Sequence, residues 1–149
     1  MNLGRLNHIG VATPSIEQSI RYYRDVMGAT AFHKPFDLEA QGVKVCFVDT
    51  LGENGTKGTQ IELIEPLGPD SPIAKFLEKN PAGAQHHVCY EVEDIEEARS
   101  WFEGLGKRIL GPTRIGAHGT PIFFLHPKDM MGQLTEIMET PKEDAHWSN

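Results

Sequence analysis

Cysteine is scarce. Cys46 and Cys89 are the only two in 149 residues, and no Cys-x-x-Cys pair is present. That excludes a disulfide-built scaffold and a thiolate zinc cluster, and it points to two reduced core thiols in a cytoplasmic protein. Positive charge is also short, with 14 Lys and Arg against 21 Asp and Glu and a net charge of −7. A nucleic-acid partner would call for a basic surplus, so none is expected. No apolar run approaches the roughly 20 residues of a membrane-spanning helix, so no membrane partner is expected either. Met1 to Arg5 leads directly into a strand-like run, without the charged-then-apolar pattern of a secretory signal. What remains is 39% hydrophobic and 23% charged. That suits one domain, or two small modules sharing a core.

The chain says the same thing twice. His8-Ile-Gly-Val opens the first half and His87-Val-Cys-Tyr the second, and 87 minus 8 sets an offset of 79. At that offset Ile16 meets Ile95, Glu17 meets Glu96, Tyr22 meets Trp101 and Tyr23 meets Phe102. Near the end of each half, Glu62-Leu-Ile-Glu65 meets Glu136-Ile-Met-Glu139 at an offset of 74, the difference being absorbed by loops.

Each half reads as a strand, a helix and then several strands. Leu6 to Ala12 is a short apolar run, and Ser15-Ile-Glu-Gln18 is a capping-box pattern in which Ser and Gln side chains satisfy first-turn amides. Ile16, Ile20, Tyr23 and Met27 then recur at helical spacing until Gly28. In the second half Asp94 caps, and Ile95, Ala98, Trp101, Phe102 and Leu105 form the apolar face before Gly106. The expected later strands are Thr30 to His33, Val43 to Asp49 and Thr59 to Glu65, then Lys107 to Leu110, Pro121 to Leu125 and Gln133 to Glu139. Module one covers about 5–66 and module two about 85–140. Between them Ser71-Pro72 opens a linker helix over about 71–80. Leu51 to Gly58 reads as a hairpin loop. The tail, 141–149, is polar and expected to fray, with Trp147 able to dock.

Strand alternation gives a geometric test, because residues two apart share a face. Gln60, Glu62 and Ile64 share one face, and Leu134, Glu136 and Met138 share another. Each central glutamate therefore has mostly apolar neighbours and needs a cation or a proton. Glu65 and Glu139 fall on opposite faces and read as solvated. A lone histidine at a strand start is more often a hydrogen-bonded core residue than a ligand. Four residues that obey one repeat outweigh that reading, so His8, Glu62, His87 and Glu136 are the candidate ligands of one divalent metal. His86 would point away from His87. Gln60 shares a face with Glu62 and could replace it as an oxygen ligand. Cys89 shares the face of His87, so a place near the metal is open to it. Mixed imidazole and carboxylate donors suit zinc, cobalt, manganese, iron or nickel better than calcium.

These features resemble the vicinal-oxygen-chelate superfamily, which includes glyoxalase I, the extradiol dioxygenases and the methylmalonyl-CoA epimerases. The resemblance to the epimerases covers Leu6 to about Thr140. It rests on Leu6-Asn-His-Ile-Gly-Val-Ala, Glu65-Pro-Leu-Gly-Pro-Asp-Ser-Pro-Ile-Ala-Lys-Phe-Leu, His86-His-Val-Cys-Tyr-Glu-Val, Ile115-Gly-Ala-His-Gly and Phe124-Leu-His-Pro-Lys-Asp. It implies an α+β fold of paired βαβββ modules whose curved sheets partly close around a metal. The whole chain would then be a single vicinal-oxygen-chelate domain, a homodimer as relatives commonly are.

The family's metal positions fall on His8, Glu62, His87 and Glu136, and the ion would be zinc, cobalt, manganese, nickel or magnesium. The implied activity interconverts the 2R and 2S forms of an acyl-CoA substrate, methylmalonyl-CoA, through a metal-stabilised enolate. Glu136 is then the expected base, with Glu62 as its opposing partner. Some relatives carry a glutamate base where this chain has Val45, so the second base is left unassigned. Gln60, Arg114, His118 and Lys128 are candidate substrate contacts, against a plainer reading of the last three as turn and surface residues. Ile115 to Gly119 is either a glycine-hinged loop over substrate or a hairpin turn. Two other readings stand beside this one. One is a glyoxalase I-like or dioxygenase-like metal enzyme. The other is a metal-free ligand-binding resistance protein, which would not need four inward metal-binding side chains.

Overall fold

The computed structural model describes residues 1–144, and Trp147 lies outside the described residues. Eight strands and three helices run in the order β1 (Leu6–Ala12), α1 (Ile16–Asp25), β2 (Phe36–Leu38), β3 (Val43–Val48), β4 (Gln60–Pro66), α2 (Pro72–Lys79), β5 (Ala84–Val92), α3 (Ile95–Gly104), β6 (Ile109–Ile115), β7 (Pro121–Leu125) and β8 (Thr135–Glu139). This is the expected α+β pattern of two βαβββ modules. The chain clusters into two compact units, His8–His86 and the residues from His87 onward, the latter joined by Met1–Asn7. No described helix is long and apolar enough to cross a membrane.

In the unit His8–His86 the strands lie in the order β2-β3-β4-β1. β1 runs parallel to β4, with Gly10 opposite Glu62, and β3 runs antiparallel to β4, with Phe47 opposite the same glutamate. Helix α1 begins at an N-cap Ser15 whose hydroxyl accepts from the Gln18 amide at 3.1 Å. The Ser15 amide itself donates to Thr13 Oγ1, at 3.1 Å. Ile16, buried, packs with Cys46, Val48 and Leu63, and Ile20 and Tyr23 extend that face. Met27 does not: the helix ends at Asp25, and Met27 is 60% exposed before the left-handed Gly28. Burial and the neighbouring Tyr22 push the Tyr23 hydroxyl above its ordinary pKa, and burial does the same to the Cys46 thiol.

The segment Thr30 to His33 is not a strand. It contributes one isolated bridge, Phe32 to Val48, and the first strand after α1 is Phe36–Leu38. The run is strand-like in composition, but only Phe32 finds a ladder partner. Leu51 to Gly58 is a loop closed by a Leu51–Lys57 bridge, with Asn54 and Gly55 in left-handed conformation. Helix α2 has Ser71 as its cap and Pro72 at its first position, as its sequence requires. It delivers the chain to β5 through Gly83. A Cβ there would stand 2.6 Å from the Ala12 carbonyl oxygen, at a φ of +96°. Only glycine fits that turn.

From His87 onward the strand order is β5-β8-β7-β6. In terms of position within the module this is the same arrangement, fourth strand beside first. β5 runs parallel to β8 with Cys89 opposite Glu136, and β7 runs antiparallel to β8 with Phe124 opposite that glutamate. Asp94 caps α3, accepting from the Glu96 and Glu97 amides at 3.0 Å each. Ile95, Ala98 and Phe102 are buried against Val92, Phe123, Leu125 and Ile137. Trp101 and Leu105, expected on the same face, are 48% and 56% exposed. Trp101 lies at the edge of the apolar stripe, and Leu105 is the C-cap residue beyond the helix end at Gly104.

Glu65 and Glu139 are not solvated. Glu65 accepts from the Ile16 amide at 2.8 Å and Glu139 from the Ile95 amide at 3.1 Å. Each carboxylate thus meets the first amide of its own module's helix, where the helix dipole favours negative charge. To the fully buried carboxylate of Glu91, Arg5 donates at 2.9 and 3.2 Å, Asn7 at 3.0 Å and Thr140 at 3.0 Å. The described part of the tail contains a tight turn over Lys142–Asp144.

Candidate metal centre

The helix of each module covers one face of its strands, and the opposite face carries the chemistry. In module one, His8 on β1 and Glu62 on β4 are both buried, and His8 Nε2 lies 3.7 Å from Glu62 Oε1. In module two, His87 on β5 and Glu136 on β8 are both buried, with Nε2 3.1 Å from Oε1. Parallel pairing sets these distances. In both modules the residue two after the histidine stands opposite the glutamate. Strand pleating then returns the histidine to the carboxylate's face.

A phenylalanine completes each pair. The Phe47 ring meets His8 edge-on at 6.1 Å between centroids, and the Phe124 ring meets His87 edge-on at 5.5 Å. Each ring comes from the strand opposite its glutamate and fixes the imidazole plane. The sequence reading missed both residues. The signal was present, because Phe47 and Phe124 align at an offset of 77, midway between the offsets of 79 and 74 used for the module starts and ends.

The donors fit a divalent cation. Two ligand atoms on one first-row ion, each about 2.0–2.2 Å from it, stand about 3–3.5 Å apart. The 3.1 Å separation falls inside that range and the 3.7 Å one just above it. Cys89 Sγ lies within 4.8 Å of a Glu136 oxygen, so the thiol shares the module-two face. His86 does point the other way, its ring edge-on to Phe76 of α2 at 5.0 Å. Gln60 is 2% exposed, directly across the β1–β4 ladder from His8. Val45, buried and opposite Ile64, gives that part of the module-one face no titratable group.

The remaining candidates are dispersed. The exposed Arg114 on β6 holds its guanidinium 6.0 Å from the centre of the Phe124 ring, so it reaches the ring that backs His87. His118, half-buried, sits in the hairpin turn between β6 and β7, a turn closed by Gly119 N donating to Gly116 O. Lys128, exposed, follows the far end of β7, in a turn where its amide donates to His126 Nδ1. A five-residue strand separates the last two. They cannot contact the same small group. Arg108 beside Asp129 holds that carboxyl well below the usual carboxylate range, which braces the turn carrying Lys128.

Residues 7–124 match the model of the glyoxalase/bleomycin resistance protein/dioxygenase superfamily. The chain belongs to that superfamily. Within it, the chain is 50% identical to the ethylmalonyl-CoA/methylmalonyl-CoA epimerase of Cereibacter sphaeroides, over 91% of this chain and 97% of that one. It is 45% identical to the human mitochondrial methylmalonyl-CoA epimerase, over 91% of this chain and 74% of the other. A solved methylmalonyl-CoA epimerase in complex with methylmalonyl-CoA and NH4+ superposes with a TM-score of 0.86 at 31% identity, covering 97% of this chain and all (100%) of that one. The glyoxalase-like α+β fold is thereby shared along nearly the whole chain.

Proposed function

We propose that this superfamily member is a metal-dependent epimerase that interconverts (2R)- and (2S)-methylmalonyl-CoA. The observation that carries the proposal is the buried His–Glu pair, built twice at the same register in a chain half identical to an enzyme of that name. We assign His8, Glu62, His87 and Glu136 as the ligands of one divalent ion, zinc, cobalt, manganese, nickel or magnesium. Repetition supports the shared ion: each module supplies one imidazole and one carboxylate, half of a four-ligand set.

A divalent cation, when bound, supplies Lewis-acid stabilisation of the negative charge that develops on the thioester oxygen. The protein residues handle the proton. Glu136 takes it from the α-carbon. It is flanked by Cys89 and by the buried Met138, so bulk water has little access to the proton it holds. Glu62 is its counterpart in module one and serves as the opposing base, the role for which Val45 offers no group. Phe47 and Phe124 hold the two imidazoles in plane. Arg114 is placed to receive an anionic part of the substrate, and His118 and Lys128 are assigned to more distant parts of the CoA arm. Since neither Cys46 nor Cys89 forms a disulfide, a reducing compartment such as the cytoplasm suits the chain. Homodimeric assembly follows the habit of its relatives.

The test is exchange of the α-hydrogen of methylmalonyl-CoA with solvent deuterium, followed by NMR with and without a chelator. The metal-loaded protein should exchange it and the chelated protein should not. No exchange by the loaded protein would remove the assignment.

A further inference from the structure

The two modules repeat the histidine, the glutamate and the phenylalanine, and differ most in polarity at one corner. In module one, Gln60 lies two residues before Glu62 on the same face, and Asp49 follows the end of β3 beside it. Gln60 Nε2 donates to Asp49 Oδ1 at 2.8 Å, and His33 Nε2 lies 2.9 Å from both Asp49 oxygens. The equivalent positions in module two are Leu134 and His126, and the latter only accepts from the Lys128 amide. The fold therefore does not require an amide at the position of Gln60.

The orientation of the Gln60 amide follows from Asp49. Its Oδ1 accepts from Gln60 Nε2 at 2.8 Å, and both of its oxygens lie 2.9 Å from His33 Nε2. An ionised carboxylate only accepts, so the amide nitrogen must face it. The carbonyl oxygen Oε1 then points away. Gln60 is 2% exposed, and among the described residues no donor reaches that buried oxygen. A side chain serving only to tie β3 to β4 would use Nε2 and leave Oε1 in water. This one buries an acceptor without satisfying it, which is costly unless an electropositive partner arrives.

We propose that Gln60 Oε1 is a neutral oxygen donor to the bound cation, directly or through a cation-bound water, and that Asp49 is the positioning residue that aims it. The inference rests on the metal assignment above and adds to it an acceptor on the module-one side only. His33, half exposed, anchors the outer end of the chain from surface to face.

The test is titration of the metal-free protein with Co2+, read by the visible spectrum and by competition with a chelator of known affinity. Gln60→Leu copies the module-two residue and should weaken Co2+ binding about tenfold to hundredfold, with a changed spectrum. The metal-free variant should melt no lower than wild type, because a buried unsatisfied acceptor has gone. Asp49→Asn lets the amide turn either way and should weaken binding about tenfold. Added to Gln60→Leu, it should do nothing further. Unchanged affinity and spectrum in both single variants, or losses that add in the double variant, would overturn the inference. Wild-type protein that takes up no Co2+ would overturn this and the metal assignment together. Uptake by wild type with unaltered variants would overturn this one alone.

Discussion

Module one and module two share a strand order, a register, a helix cap supplied from the last strand, and a His–Glu–Phe cluster. They differ in what surrounds that cluster. Module one places Gln60, Asp49 and His33 beside its glutamate, whereas module two surrounds Glu136 with Cys89, Ile122 and Met138. Module two instead spends its buried charge at Glu91, whose counterpart in module one is the fully buried Ala12. What both modules keep is what a stable βαβββ unit and the proposed ion demand. Where they diverge, each has its own task. Glu136 has Cys89 and Met138 beside it, and Glu62 has the polar Gln60.

The largest expected effect breaks the symmetry of the two glutamates. Glu136→Gln should lower kcat by about 10²–10⁴-fold, while Glu62→Gln, which removes the opposing base and a ligand, should lower kcat less and weaken metal binding about tenfold to hundredfold. Steady-state kinetics at saturating metal separates the two. Equal losses of kcat in both variants would show that the modules divide proton transfer evenly.

A smaller effect concerns stability and belongs to module two alone. Glu91→Ala should cost about 3 kcal/mol in urea unfolding, because it removes the acceptor shared by Arg5, Asn7 and Thr140. Burial raises the Glu91 pKa, but Asn7, Arg5 and Thr140 together bring it below its ordinary value. A carboxyl depressed in the folded state stabilises fully above its unfolded pKa of about 4.3 and loses that contribution as acid carries the pH through the folded value. The stability gap between wild type and Glu91→Gln should therefore be widest near neutrality and should close as pH falls below about 4. A gap that widens in acid would contradict the assigned sign.

The smallest effect should be the same in both modules. Glu65→Ala and Glu139→Ala each remove the acceptor of a helix's first amide, and each should cost about 1 kcal/mol. Thermal melts of the two variants should nearly coincide. A clear difference would mean that the caps are not equivalent.

The parts legible in the sequence were those with a strong period or a repeated marker. His8, Glu62, His87 and Glu136 stood out because strand alternation put each on a face where charge is expensive. The caps at Ser71 and Asp94 stood out because their chemistry is local. Glu65 and Glu139 were misplaced, since alternation alone sends them outward and says nothing of a helix end waiting there. Thr30 to His33 had strand composition but lacked a partner beyond Phe32, which no local pattern reveals. Phe47 and Phe124 were hidden by loop-length changes that shift the repeat between its markers. The Gln60–Asp49 contact joins residues across a β3–β4 ladder, and its register is set by long-range pairing.

The most direct measurement is the metal stoichiometry of the chain and of two single variants, His8→Ala and His87→Ala, by equilibrium dialysis against Co2+. One ion per wild-type chain, with binding weakened severely by either substitution, is the predicted result. Two ions per chain, or an ion retained unchanged when one histidine is removed, would mean that the modules do not serve a common centre.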